Sequence, residues 1–119
     1  MQQELKEQII VSTVQATGRR KQAIARVRLT PGTGEITANG RKFDDYFPSA
    51  VHRQVITEPL RLTSTEESYD IAVTLCGGGL SGQAGAMRLG ITRALIDINP
   101  EDRANVKSAG LLTRDPRKK

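Results

Sequence analysis

Residues 69–95 read YDIAVTLCGGGLSGQAGAMRLGITRAL and contain the change of period that decides the fold. Over Tyr69–Cys76 the apolar residues alternate, with Ile71, Val73 and Leu75 on one parity, as in a strand with one buried face. Three glycines, Gly77–Gly79, follow. Beyond them Ala84, Met87, Ile91, Ala94, Leu95 and Ile98 recur at three- and four-residue intervals, the buried stripe of a helix, with Arg88, Thr92 and Asp97 on other faces. A strand, a glycine turn and a helix in succession place bare N–H groups at a helix N-terminus, an arrangement suited to phosphate. Gly85 and Gly90 each cost a helix interior roughly 1 kcal/mol relative to Ala. Close packing or the close approach of a ligand has to offset that.

Upstream, Ala23–Leu29 alternates as well: Ala23, Ala25, Val27 and Leu29 point to a core, while Ile24, Arg26 and Arg28 face outward together. Ile9–Gln15 is a further strand, and the segment GRRK (Gly18–Lys21) separates the two. Thr30–Gly34 is a turn, Glu35–Ala38 a short strand, and Asn39-Gly40 a tight hairpin turn. Phe43–Phe47 and Val51–Leu62 read as irregular helix, interrupted at Pro48 and Pro59, and Thr63–Ser68 as a polar linker. Asn99-Pro100-Glu101-Asp102 has the signature of a helix start, with Gly110 ending that helix. The pattern predicts a single α+β domain over residues 9–112, with a loose arm at 1–8 and a basic extension at 113–119.

Bulk properties narrow the function. A chain of 119 residues with 37% hydrophobic and 3% aromatic residues supports one lean core of Val, Ile, Leu and Ala. The net charge of +5 is uneven: Gly18–Arg28 carries five cations and no acid, and Arg114–Lys119 carries four cations against Asp115. Those segments contribute +5 and +3, so the rest of the chain sums to −3. Such concentration points to a directed contact with a polyanion. The single cysteine, Cys76, excludes an internal disulfide, and the residue reads as a small core hydrophobe at a strand end. Neither a membrane-spanning run nor a secretory leader is legible, so a soluble intracellular protein is expected.

The enzymatic readings are weak. A nucleotide P-loop needs Lys and a hydroxyl after its last glycine, whereas Gln83 and Ala84 stand there. Gly77, Gly79 and Gly82 meet the dinucleotide spacing formally, without the repeated βαβ units that it requires. Ser81 lacks the flanking glycine of a nucleophile elbow and reads as a helix cap, and His52 reads as an ordinary helix residue. The acidic pairs Asp44-Asp45, Glu66-Glu67 and Glu101-Asp102 have no spacing that relates them to the glycine loop. Arginine's planar fork suits phosphate oxygens, and the shortage of aromatics argues for recognition of RNA backbone and shape.

Together the motifs resemble the family of the ninth protein of the small ribosomal subunit, in its bacterial and organellar branch. The residues that carry the resemblance are Thr17-Gly-Arg-Arg-Lys21, Ala25-Arg-Val27, Pro31-Gly-Thr-Gly34, Asn39-Gly-Arg41, Tyr46-Phe47 and Gly77-Gly-Gly79. Gly82-Gln-Ala-Gly85, Gly90-Ile, Arg93-Ala-Leu95 and Ala109-Gly-Leu-Leu-Thr-Arg-Asp115 continue it, in family order. The resemblance implies a non-enzymatic α+β two-layer domain of the ribosomal protein S-five domain 2-like type, with a left-handed βαβ crossover and no cofactor or metal. It also implies binding to the 3′ major (head) domain of small-subunit rRNA beside neighbouring head proteins, on bacterial cytoplasmic or organellar ribosomes. A small phosphotransferase of the same fold class, using the glycine loop, is the alternative. The implied rRNA contacts are Gly18, Arg19, Arg20 and Lys21, extended by Arg26, Arg28 and Arg41. Gly77, Gly78, Gly79 and Gln83 would meet RNA closely, Arg88 and Arg93 would touch phosphates, and Arg114, Arg117, Lys118 and Lys119 would open the basic tail. In the family that tail continues to the anticodon stem-loop of P-site tRNA; this sequence ends at Lys119, so the tRNA contact does not carry over to the residues present.

Overall fold

A computed structural model describes residues 14–108. Five strands form one sheet in the order β1-β2-β5-β3-β4: β1 (Val14–Arg20), β2 (Ala23–Pro31), β3 (Ile36–Ala38), β4 (Arg41–Lys42) and β5 (Tyr69–Cys76). Helices α1 (Phe43–Tyr46), α2 (Ala50–Leu62), α3 (Leu80–Ile98) and α4 (Arg103–Ser108) accompany the sheet among the described residues, with a 3-10 turn at Pro100–Asp102 before α4. β1, β2 and β5 pair antiparallel in succession, and β3 pairs with β5 in parallel, so the route from β3 through α1 and α2 is a crossover connection. The architecture is the two-layer α+β arrangement expected.

The alternation read in the sequence holds. Ala23, Ala25, Val27 and Leu29 of β2 and Ile71, Val73 and Leu75 of β5 are buried, facing Met87, Ile91, Ala94 and Leu95 of α3 and Ile56 and Leu60 of α2. Burying a side chain such as Ile91 contributes about 2 kcal/mol, and this layer of contacts is the main source of cohesion. α3 lies so close over β1 that a Cβ on Gly18 would collide with the backbone of Ala86 and Gly90, and one on Gly90 with Val27. Close packing is therefore what offsets the low helix propensity of Gly90.

Several expectations need correction. The strand expected at Ile9–Gln15 falls mostly outside the described residues, and β1 runs on through Gly18–Arg20, which read as a separator. α2 continues through Pro59, because the Pro59 ring is buried in the core and Thr63 closes the last turn with both its N–H and its hydroxyl on the Pro59 carbonyl. Pro48 does separate α1 from α2. Thr92 is buried, its hydroxyl satisfied by the Arg88 carbonyl at 2.8 Å. Cys76 is exposed; the alternation of β5, carried one residue past Leu75, turns it away from the core. Gly79, not Ser81, is the N-cap of α3. Asn39 and Gly40 both take positive φ, 52° and 79°, and link β3 to β4 as the Asn-Gly pair predicts.

Candidate nucleic-acid interface

Helices cover one side of the sheet, and among the described residues the other side stands open. Strand register sets out its surface in rows. Gln15, Arg28, Ala72, Thr37 and Lys42 line up across all five strands; Thr17, Arg26 and Thr74 form the next row; Arg19, Ile24 and Cys76 form the third. Gln15, Thr17, Arg26, Arg28, Thr37 and Thr74 line a shallow trough of about 860 Å³, and no acidic side chain is among the described residues of its walls. Asp70 stands one row further along β5, but its Oδ1 accepts three backbone N–H groups, from Thr33 (2.9 Å), Gly34 (3.1 Å) and Glu35 (3.0 Å). The bonds from Glu35 and Thr33 hold its carboxyl below the ordinary value of 3.8 against a lesser opposing effect of burial, and the bond from Gly34 adds the smallest contribution.

The structure sorts the cations that the sequence groups together. Arg19, Arg26 and Arg28 share the open face and, among the described residues, have no internal hydrogen bond or ion pair. Other arginines are engaged by partners within the protein. Arg53 donates to the carbonyls of Phe47 (2.7 Å) and Pro48 (2.8 Å), and Arg61 to Thr57 and to the Gln54 carbonyl of its own helix. Arg88, expected to touch phosphate, instead pairs with Glu58 of α2 at 3.3 Å. Arg93 donates to the Thr17 carbonyl at 2.8 Å, tying α3 to the edge strand β1. Arg20 falls on the opposite parity to Arg19 and lays its stem against Gly85 of α3, so GRRK does not present one cationic face. Gly18, expected at the RNA, is buried beneath α3. Arg41 is exposed opposite buried Ala38, on the helix side of the sheet edge; its neighbour Lys42, which sequence reasoning missed, is the cation on the open side. Counting parity outward from the Asn39-Gly40 turn would have found it. Arg114, Arg117, Lys118 and Lys119 lie outside the described residues.

At one end of the sheet two predicted segments do meet. The β1–β2 turn at Lys21-Gln22 backs onto Gly77 and Gly78, where a Cβ on Gly77 would collide with the Gln22 carbonyl. Gly77 and Gly78 take φ of +79° and +61°, which glycine adopts at little cost. Gly79 has open space beside it and caps α3, whose first intrahelical bond runs from the Gln83 N–H to the Gly79 carbonyl (2.9 Å). The N–H groups of residues 80–82 therefore precede the helical ladder and favour a negative charge. Gln83 itself is not at the surface. Its Nε2 donates to the Gly77 carbonyl (3.0 Å) and its Oε1 accepts the Tyr46 hydroxyl (2.8 Å), so it shapes the turn from within. Asn39 extends this network: its amide donates to the Leu75 carbonyl (3.1 Å) and its oxygen accepts the Leu75 N–H (2.7 Å), prolonging the β3–β5 ladder by a side chain.

Comparison with known proteins gives one consistent answer. The family model described as ribosomal protein S9/S16 matches residues 18–119. The chain is 57% identical over 109 residues to the small ribosomal subunit protein uS9 of Nocardia farcinica, covering 92% of this chain and 65% of that protein. At the same identity and coverage of this chain it matches the proteins of that name from Mycobacterium tuberculosis, over 72% of their length, and Rhodococcus opacus, over 64%. A two-layer α+β domain whose residues 18–119 match this family model, and whose relatives at 57% identity share one name, fixes the assignment: the chain belongs to the ribosomal protein S9/S16 family.

Proposed function

We propose that this protein is a structural, non-catalytic constituent of the small ribosomal subunit that binds the 3′ major domain of the small-subunit rRNA and supports assembly of the subunit head. Family membership carries the reading, since its relatives at 57% identity are small-subunit proteins of bacteria. The sorting of cations supports it: among the described residues Arg19, Arg26 and Arg28 have no internal partner on one face of the sheet, and the Lys21-Gln22 turn backs onto Gly77 and Gly78 at its end. Neighbouring head proteins on the cytoplasmic ribosome are the implied protein partners. The phosphotransferase alternative gains nothing from the family, whose members are structural.

Binding of the chain to an rRNA head-domain fragment across a salt series tests this, with ATP–magnesium titrated separately. The expected result is an affinity whose logarithm falls linearly with the logarithm of salt concentration, and no saturable nucleotide signal. Saturable nucleotide binding with only non-specific RNA affinity overturns the proposal.

A further inference from the structure

We infer that the open sheet face holds a ribose–phosphate strand laid along β2 and senses its 2′-hydroxyls without reading its bases. The inference rests on the rRNA-binding reading above and specifies the chemistry recognised at that site. Arg26 and Arg28 are two residues apart on one strand, so their Cα atoms stand roughly 7 Å from each other, a separation suited to neighbouring phosphates of one strand. Arg26 is flanked on both sides by hydroxyls, Thr17 on β1 and Thr74 on β5, each directly opposite in register. Among the described residues neither hydroxyl has an internal partner. Threonine suits a strand for its branched Cβ alone, but valine would serve that purpose equally. What threonine adds here is a group that donates and accepts, placed beside a phosphate-binding guanidinium, and the ribose 2′-hydroxyl is its counterpart. The trough is lined by no aromatic ring, so unstacked bases find no platform.

The test compares one rRNA head-domain fragment made with 2′-hydroxyl and with 2′-fluoro sugars, against wild type, T17V/T74V and T17S/T74S. The expected wild-type preference for the hydroxyl RNA is about tenfold, from two hydrogen bonds of ordinary net strength. T17V/T74V should lose about that factor on hydroxyl RNA and discriminate less than twofold, with its salt slope intact. T17S/T74S keeps the hydroxyls and should keep the preference. The inference is overturned if T17V/T74V discriminates as wild type does, or if wild type binds both RNAs equally. Absence of salt-sensitive binding to either RNA in wild type overturns the rRNA reading beneath it, and this inference with it.

Discussion

At Lys21 a long cationic residue sits at φ +57°, in the left-handed region that glycine occupies freely. The proposed RNA contact and the backbone strain pull apart at this position. Lys21→Gly should raise stability by about 0.5 kcal/mol, the strain relieved less the entropy glycine gains in the unfolded chain. It should also lower the salt slope of RNA binding by roughly one contact. Chemical denaturation and a salt series on the same preparation check both. Asp70 is informative in another way. Its carboxyl is depressed by the Glu35, Thr33 and Gly34 N–H groups. A lowered folded value stabilises above the unfolded value near 3.8, and that stability is lost as pH falls through the folded value. Asp70→Asn keeps an acceptor oxygen but cannot titrate, so its stability should fall less steeply than that of wild type below about pH 4, as read by urea midpoints at successive pH values. Neither Asp70 nor the Asn39–Tyr46–Gln83 network was legible in the sequence. The bonds to Asp70, from Tyr46 to Gln83 and between Asn39 and Leu75 join residues 35 to 37 positions apart, and no local pattern marks which polar side chain turns inward.

Among the elements, α3 and β1 show how far periodicity reaches. The stripe Ala84, Met87, Ile91, Ala94 and Leu95 is buried as the spacing predicts, because a helical period reports which face is apolar. It does not report how near the neighbouring strand lies. Three glycines that look alike in sequence therefore differ. A Cβ on Gly18 or Gly90 meets the opposing backbone or a buried valine, whereas a Cβ on Gly85 meets only the Arg20 side chain, which can swing away. Gly18→Ala should cost about 3 kcal/mol through overpacking against a backbone that cannot yield. Gly85→Ala should stay within about 1 kcal/mol of wild type, since better helix propensity offsets the displaced arginine. Thermal midpoints of the two variants, measured side by side, check the contrast. Pro59 teaches the converse lesson: a residue that reads as a break is tolerated where its ring fills the core.

For the whole molecule, the family and the α+β class were legible because they rest on many ordered motifs, and the cationic surface was legible only in part. Sequence proximity put Arg19, Arg20 and Lys21 in one cluster, but a strand's period of two sends Arg19 and Arg20 to opposite sides of the sheet. Helix position made Arg88 a phosphate ligand until tertiary packing brought Glu58 to 3.3 Å. That pair is partly exposed on both sides and contributes at most about 1 kcal/mol, so Arg88→Gln should alter stability slightly and RNA binding not at all. The central claim is that the arginines of the open face, and not those bonded to partners within the protein, hold the RNA. Salt-dependent affinity for the rRNA head-domain fragment, compared between wild type, R26Q/R28Q and R88Q, tests it most directly. The account predicts a salt slope lower by about 1.5 in R26Q/R28Q and a wild-type slope in R88Q. An unchanged slope in R26Q/R28Q, or a loss in R88Q to match, would contradict it.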